Sequence, residues 1–87
     1  MGYRIEFTNP AEKEFKKLDA VVKQRISDGV VGLEKNPRPP GCVALKGYKD
    51  TYRMRIGKFR VIYEVKDKVL LVLVIRVAKR EDVYNDF

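Results

Sequence analysis

The sequence predicts an α+β domain: an N-terminal strand, a two-helix hairpin, then a three- to four-stranded antiparallel meander, forming one twisted sheet with the helices on one face. Three observations carry that prediction. Apolar residues recur at helical spacing only between residues 9 and 35, and from Leu45 onward they recur at every second position. A chain of 87 residues supports one domain, spanning 1–87, with a single core.

Tyr3-Arg-Ile-Glu-Phe7 alternates apolar and polar residues, as a strand with one buried face does. Asn9 as N-cap, Pro10 at the first helical position and Glu12 three residues after the cap read as a helix start. Ala11, Phe15 and Leu18 then form one apolar stripe. Val22, Ile26, Val30 and Leu33 mark a second helix from about Ala20 to Lys35. Gly29 and Gly32 each cost this helix about 1 kcal/mol relative to Ala, and their spacing suits a close approach to another backbone. Asn36-Pro-Arg-Pro-Pro-Gly41 ends the helix, because proline lacks the amide proton to continue it. Neither a linker, an internal repeat nor a low-complexity segment interrupts the sequence.

In the meander, Tyr52, Met54 and Ile56 share a face with Phe59, Val61, Tyr63 and Val65, which is therefore the face the helices cover. Arg53, Arg55 and Arg60 occupy the other face. A two-residue turn at Gly57-Lys58 sets Arg55 directly opposite Arg60, and like charges paired across strands cost a few tenths to about 1 kcal/mol. The last strand, Val69 to Val77, is apolar on both faces, so it is central or covered on its second face. Leu71, Leu73 and Ile75 fall on the arginine side if the Asp67-Lys68 turn has two residues. Two readings of them stand: core beneath the terminal segment, or a groove for a partner helix. Only Asn85, Asp86 and Phe87 follow Tyr84, which leaves no length for a closing helix.

The charge is +7, from 19 Lys+Arg against 12 Asp+Glu. Residues 1–43 hold eight basic and six acidic groups (+2), whereas residues 44–87 hold eleven and six (+5). Such an excess attracts RNA, DNA, an anionic membrane or an acidic protein alike. Cations fixed on rigid strands narrow the choice towards a phosphate-rich ligand, hence nucleic acid. Cys42 is the only cysteine and histidine is absent, so an internal disulfide and a histidine-based metal or acid/base site are excluded. Catalysis must use Lys, Arg, Tyr, Ser, Thr, Asp or Glu, with no metal and no cofactor expected. The longest apolar run, Val69 to Ile75, is seven residues, too short to span a bilayer. Glu6 stands where a myristoylation signal needs Ser or Thr. A cytoplasmic protein without membrane attachment is expected.

Four short motifs occur in order: Leu45-Lys-Gly47, Tyr52-Arg-Met-Arg55, Phe59-Arg-Val-Ile-Tyr63, and Lys79-Arg-Glu81 with Tyr84 beyond. Together with the preceding strand and helical hairpin, they resemble RelE-type toxins of the RelE/ParE superfamily. The resemblance implies a RelE-like fold and a small endoribonuclease that enters the ribosomal A site, cuts the bound mRNA, and is neutralised by a cognate acidic antitoxin. By position, the family's active-site cations fall on Lys46, Arg53, Arg55, Arg60 and Arg80, and its base-stacking tyrosine on Tyr84. Arg53, Arg55, Arg60, Arg80 and Tyr84 form the implied catalytic set; Lys46, Lys49, Lys58 and Lys79 are expected to hold substrate.

Members of the family often have lysine at the positions of Arg53 and Arg55. Lysine sheds its proton when crowded by cations and arginine does not, so the general base is left to Lys46, Tyr84 or a ribosomal group. Blander roles compete: a solvated sheet face for Arg53 and Arg55, a surface ion pair with Glu81 and Asp82 for Arg80, a pinned chain end for Tyr84, a plain loop lysine for Lys46. At the level of function, two alternatives stand beside the ribonuclease: a ParE-type toxin acting on gyrase, and a non-catalytic basic module that binds RNA or protein.

Overall fold

A computed structural model describes residues 2–79. Its elements are β1 (Arg4–Phe7), α1 (Asn9–Lys16), α2 (Ala20–Gly32), β2 (Val43–Ala44), β3 (Thr51–Ile56), β4 (Phe59–Lys66) and β5 (Leu71–Lys79). The strands form one sheet in the order β1-β5-β4-β3-β2. The meander from β2 to β5 is antiparallel, while β1 lies parallel to β5 with Arg4 opposite Leu71 and Phe7 opposite Val74. This places β5 inside the sheet, with Val72, Val74 and Val77 in the core on one face and Ile75 and Ala78 in a small apolar cluster with Ile62 and Leu45.

The helix starts show what the sequence left open. Thr8, not Asn9, caps α1: its hydroxyl accepts from the Ala11 N–H at 3.3 Å, and Asn9 becomes helical. The same hydroxyl donates to the Ile75 carbonyl at 3.2 Å, so a contact with the sheet selects the cap. Asp19 caps α2 by accepting from the Val22 N–H at 3.0 Å. This helix ends at Gly32, short of Lys35, and the Glu34 carbonyl accepts from the Tyr3 N–H at 2.8 Å instead. Of the two glycines, only Gly29 serves a close approach. A Cβ there would lie 2.6 Å from Ile56 Cδ1, whereas Gly32 faces open space.

The core lies between the helices and one face of the sheet. Ala11, Ile26, Val30 and Leu33 pack on Val61, Tyr63, Val65, Val72, Val74 and Val77, with Tyr52, Met54, Ile56 and Phe59 at its margin. The β4–β5 turn has four residues, Asp67 to Leu70, with a 3-10 turn closed by Leu70 at φ 50. Two residues more than expected preserve the alternation, so Leu71, Leu73 and Ile75 stay on the side away from the helices. A register shift at Ile62/Tyr63 sets Tyr63 opposite Val74 but Ile62 opposite Arg76, so Val77 is the next β5 residue in the core.

Beside the core, one network ties the proline-rich loop to the sheet. Arg38 donates to Asp67 through Nη1 (3.2 Å) and Nη2 (2.8 Å), donates through Nε to the Tyr52 hydroxyl (2.8 Å), and stands 5.3 Å from the Tyr52 ring centre. Tyr52 stacks on Tyr63 at 5.8 Å, and the buried Tyr63 hydroxyl donates to the Pro37 carbonyl at 2.8 Å. Tyr3 also donates to Asp67, at 2.6 Å. The hydrogen bonds from Arg38 and then Tyr3 hold the Asp67 carboxyl down at about 2. Because the folded value lies below the ordinary one, the stabilisation is complete above about pH 4. It is lost as pH falls through about 2. Asp67→Asn is therefore expected to melt below the wild type at pH 7, with the gap closing over that acid range; equal melting temperatures at pH 7 would contradict the network.

Candidate functional site

The β3–β4 hairpin positions the site. Gly57 takes φ 59 at the first of two turn positions, the arrangement that suits glycine in a tight hairpin. The register then runs Ile56 opposite Phe59, Arg55 opposite Arg60, Met54 opposite Val61 and Arg53 opposite Ile62. Since Met54, Ile56, Phe59 and Val61 pack towards the helices, Arg53, Arg55 and Arg60 share the other face. The expected opposition of two guanidinium-bearing residues is present.

The arginines differ in their surroundings. Arg55 is exposed, and Arg53 is half-buried and engaged within the fold. Arg60 is only 7% exposed, between Arg55 on β3 and Ala78 on β5. Its Nε is buried and has no hydrogen-bond partner among the described residues. An unsatisfied buried donor costs about 1–3 kcal/mol, and more when charged. Ile62 and Ala78, with Leu45 and Ile75 against them, form a small apolar patch on this same side.

Four cations elsewhere are paired: Arg4 with Glu6, Lys16 with Glu12, Arg38 with Asp67, Arg76 with Glu14. Arg55, Lys58 and Arg60 have no such partner among the described residues, and neither does Arg25. Arg25 comes from α2, where its Nη1 lies 3.8 Å from the Cβ position of Gly57 at the hairpin tip. The sequence carries no local signal for it, because only the packing of α2 on β3 brings helix and turn together. A cleft of about 700 Å³ runs between α2, Pro39-Pro40-Gly41 and β3, with Arg55 on its lining.

The remaining expected residues are spread more widely. Lys58 is exposed in the turn, and Lys46 and Lys49 are exposed in the loop after β2, next to Leu45. Lys79 ends β5 opposite Phe59, so its register position belongs to the helix-covered face and not to the arginine face. Arg80 and Tyr84 lie outside the described residues. What the structure brings together is thus Arg53, Arg55 and Arg60, with Lys58 at the turn. These rigidly mounted donors can bind and polarise a phosphate.

A family model described as the ParE toxin of type II toxin-antitoxin system, parDE, matches residues 5–84. A putative RelE-like toxin protein of Escherichia coli is 38% identical over 98% of this chain and 93% of its own length. The chain belongs to the RelE/ParE toxin superfamily. Within it, the chain is of the RelE type. The mRNA interferase toxin RelE of E. coli K12 is 32% identical, over 99% of this chain and 94% of that protein. A structure of an E. coli RelE variant in the free state superposes with a TM-score of 0.83 at 31% identity, over 98% of this chain and 93% of that one. RelE in the intact E. coli RelBE toxin-antitoxin complex gives 0.80 at 30% identity, over 88% and 95%.

The paired arginines of this RelE-type chain make a direct claim about stability. Arg55→Gln removes one of two like charges and is expected to raise the melting temperature at low salt, by the equivalent of a few tenths to about 1 kcal/mol. Salt screens exposed charges, so the gain should shrink at high ionic strength. A variant no more stable than the wild type at low salt would show that the pair carries no repulsion.

Proposed function

We propose that this chain is the toxin of a type II toxin-antitoxin pair, an endoribonuclease that cuts mRNA in the ribosomal A site and so stops translation. The observation that carries the reading is Arg60: a buried guanidinium whose Nε lacks a partner among the described residues, beside a second cation, Arg55. A phosphate oxygen would satisfy it once the side chain shifts to expose it. The relatives named mRNA interferase point to mRNA as the source of that phosphate.

The chemistry follows from what RNA itself supplies. The 2′-oxygen attacks the adjacent phosphorus as its proton leaves for a base; the P–O5′ bond breaks and the 5′-oxygen takes up a proton. A 2′,3′-cyclic phosphate and a 5′-hydroxyl result. Charge builds on the non-bridging oxygens in between, and guanidinium forks match those oxygens. Preorganised donors aimed at developing charge are worth about 3–4 kcal/mol each. Arg60 and Arg55 take this part, with Arg53 and Arg80 extending the cradle and Tyr84 stacking on a base. Lys46, Lys49 and Lys58 hold the RNA backbone. The reading assigns no metal or other cofactor to the step. As arginines, residues 53 and 55 do not serve as the base. The ribosome adds alignment: an in-line 2′-oxygen lowers the barrier by several kcal/mol, which suits an enzyme without histidine.

The partner that silences the toxin is an acidic antitoxin. Relatives are solved with partner chains, in the E. coli RelBE toxin-antitoxin complex and in the archaeal RelE-RelB complex of Pyrococcus horikoshii, whose structure superposes with a TM-score of 0.81. A charge of +7 on 87 residues favours a partner of opposite sign.

Primer extension on mRNA from a translating extract tests the function. The purified chain is expected to produce cuts within codons only when ribosomes are present. Arg60→Ala should lose about 100- to 1000-fold in rate with an unchanged circular dichroism spectrum. Full activity in that variant would refute the assignment, and inhibition of supercoiling without RNA cuts would move the chain to the gyrase-directed branch.

A further inference from the structure

The outer half of β5 lacks a neighbouring strand on one side. β1 pairs with β5 only as far as Val74, so the edge from Ile75 to Lys79 extends past the end of β1. Two side chains take the place of the missing strand. Thr8 donates its hydroxyl to the Ile75 carbonyl at 3.2 Å. Glu14, from the second turn of α1, accepts the Val77 N–H on Oε1 at 2.9 Å, and it also receives Arg76 Nε at 3.1 and 3.0 Å and Arg76 Nη2 at 2.8 Å. The two charged side chains are 26% and 19% exposed, less than in any other ion pair among the described residues.

The segment held in this way forms one wall of the candidate site. Val77 pairs with Val61, Ala78 pairs with Arg60, and Lys79 leads directly into Arg80. The ladder to β4 holds this segment on one side, with Ala78 opposite Arg60; without Glu14 its other edge would be open and the segment freer to fluctuate. The mount for Glu14 is rigid: α1 is capped at Thr8, Ala11 is fully buried, and Phe15 packs on Phe7 at 5.6 Å. Arg76 neutralises the carboxylate, so it does not repel RNA from the basic face.

We propose that Glu14 is a positioning residue: by closing the open edge of β5 it steadies the Val77–Ala78 segment beside Arg60. The inference rests on the function proposed above. Its test combines single-turnover mRNA cleavage on programmed ribosomes with amide hydrogen exchange on the free protein, for wild type, Glu14→Ala, Glu14→Gln and the double variant Glu14→Ala/Arg76→Ala.

Glu14→Ala is expected to slow cleavage about 10- to 100-fold at saturating ribosomes, with the half-saturating concentration within about twofold of wild type. Val77 should exchange faster while Val61 stays protected, at a temperature where the variant is folded. Glu14→Gln, which keeps an acceptor for the Val77 N–H, should fall between, and the double variant should be no slower than Glu14→Ala. Cleavage at the wild-type rate, a loss confined to the half-saturating concentration, or unchanged Val77 exchange would each overturn the proposal. A wild type that cuts nothing on ribosomes would instead refute the function, and the positioning role with it.

Discussion

The register of the β3–β4 hairpin is the constraint on which the rest depends. With Gly57 at φ 59 turning the chain in two residues, Tyr52, Met54 and Ile56 meet Tyr63, Val61 and Phe59 in one layer beneath the helices. The same pairing places Arg55 opposite Arg60 in the other. A slip by one residue would bury arginines under α2 and turn the aromatic layer to solvent. The hydrophobic effect therefore enforces an arrangement that electrostatics opposes. The few tenths to about 1 kcal/mol of repulsion is small beside the burial of several large side chains at about 1.5–3 kcal/mol each.

The chain treats its cations in two ways, and the contrast separates structure from chemistry. Arg38 is held by Asp67 and Tyr52, with the hydrogen bonds it donates to Asp67 the main cause of its raised pKa, and it binds the proline-rich loop to the sheet. Arg76 is saturated by Glu14. Arg60 is more deeply placed than either, yet its Nε is without a partner among the described residues. The fold supplies a carboxylate to one loop arginine and to one on β5 but, among the described residues, none to Arg60; in the proposed function a phosphate takes that place. This is the usual tension between stability and activity, in which a site carries a local cost that the core offsets.

Much of this was legible beforehand, because the strongest signals are periodic. The two helices, the meander, the core face and the opposition of Arg55 and Arg60 follow from spacing alone. What escaped depends on contacts distant in sequence. Thr8 displaced Asn9 as cap through its bond to Ile75. The parallel seating of β1 on β5 leaves no trace in either strand's pattern, since alternation reports a buried face and not a neighbour. The four-residue turn to Leu70 kept the expected parity, whereas the register shift near Tyr63 moved Val77 into the core in place of Arg76. In the site, Lys79 fell on the helix-covered face for the same reason. Arg25 and Glu14 were invisible because helical residues carry no mark of the strand they will touch.

The central claim is that the sheet face opposite the helices receives the scissile phosphate. The measurement that tests it most directly is a structure of the chain on a ribosome programmed with mRNA whose A-site 2′-hydroxyls are methylated, so that attack is blocked and the complex persists. The account predicts an mRNA phosphate within about 3 Å of the Arg60 guanidinium, with Arg55 beside it and α1 and α2 turned away. An mRNA lying against the helices, or an A site occupied with Arg60 remote from any phosphate, would contradict it.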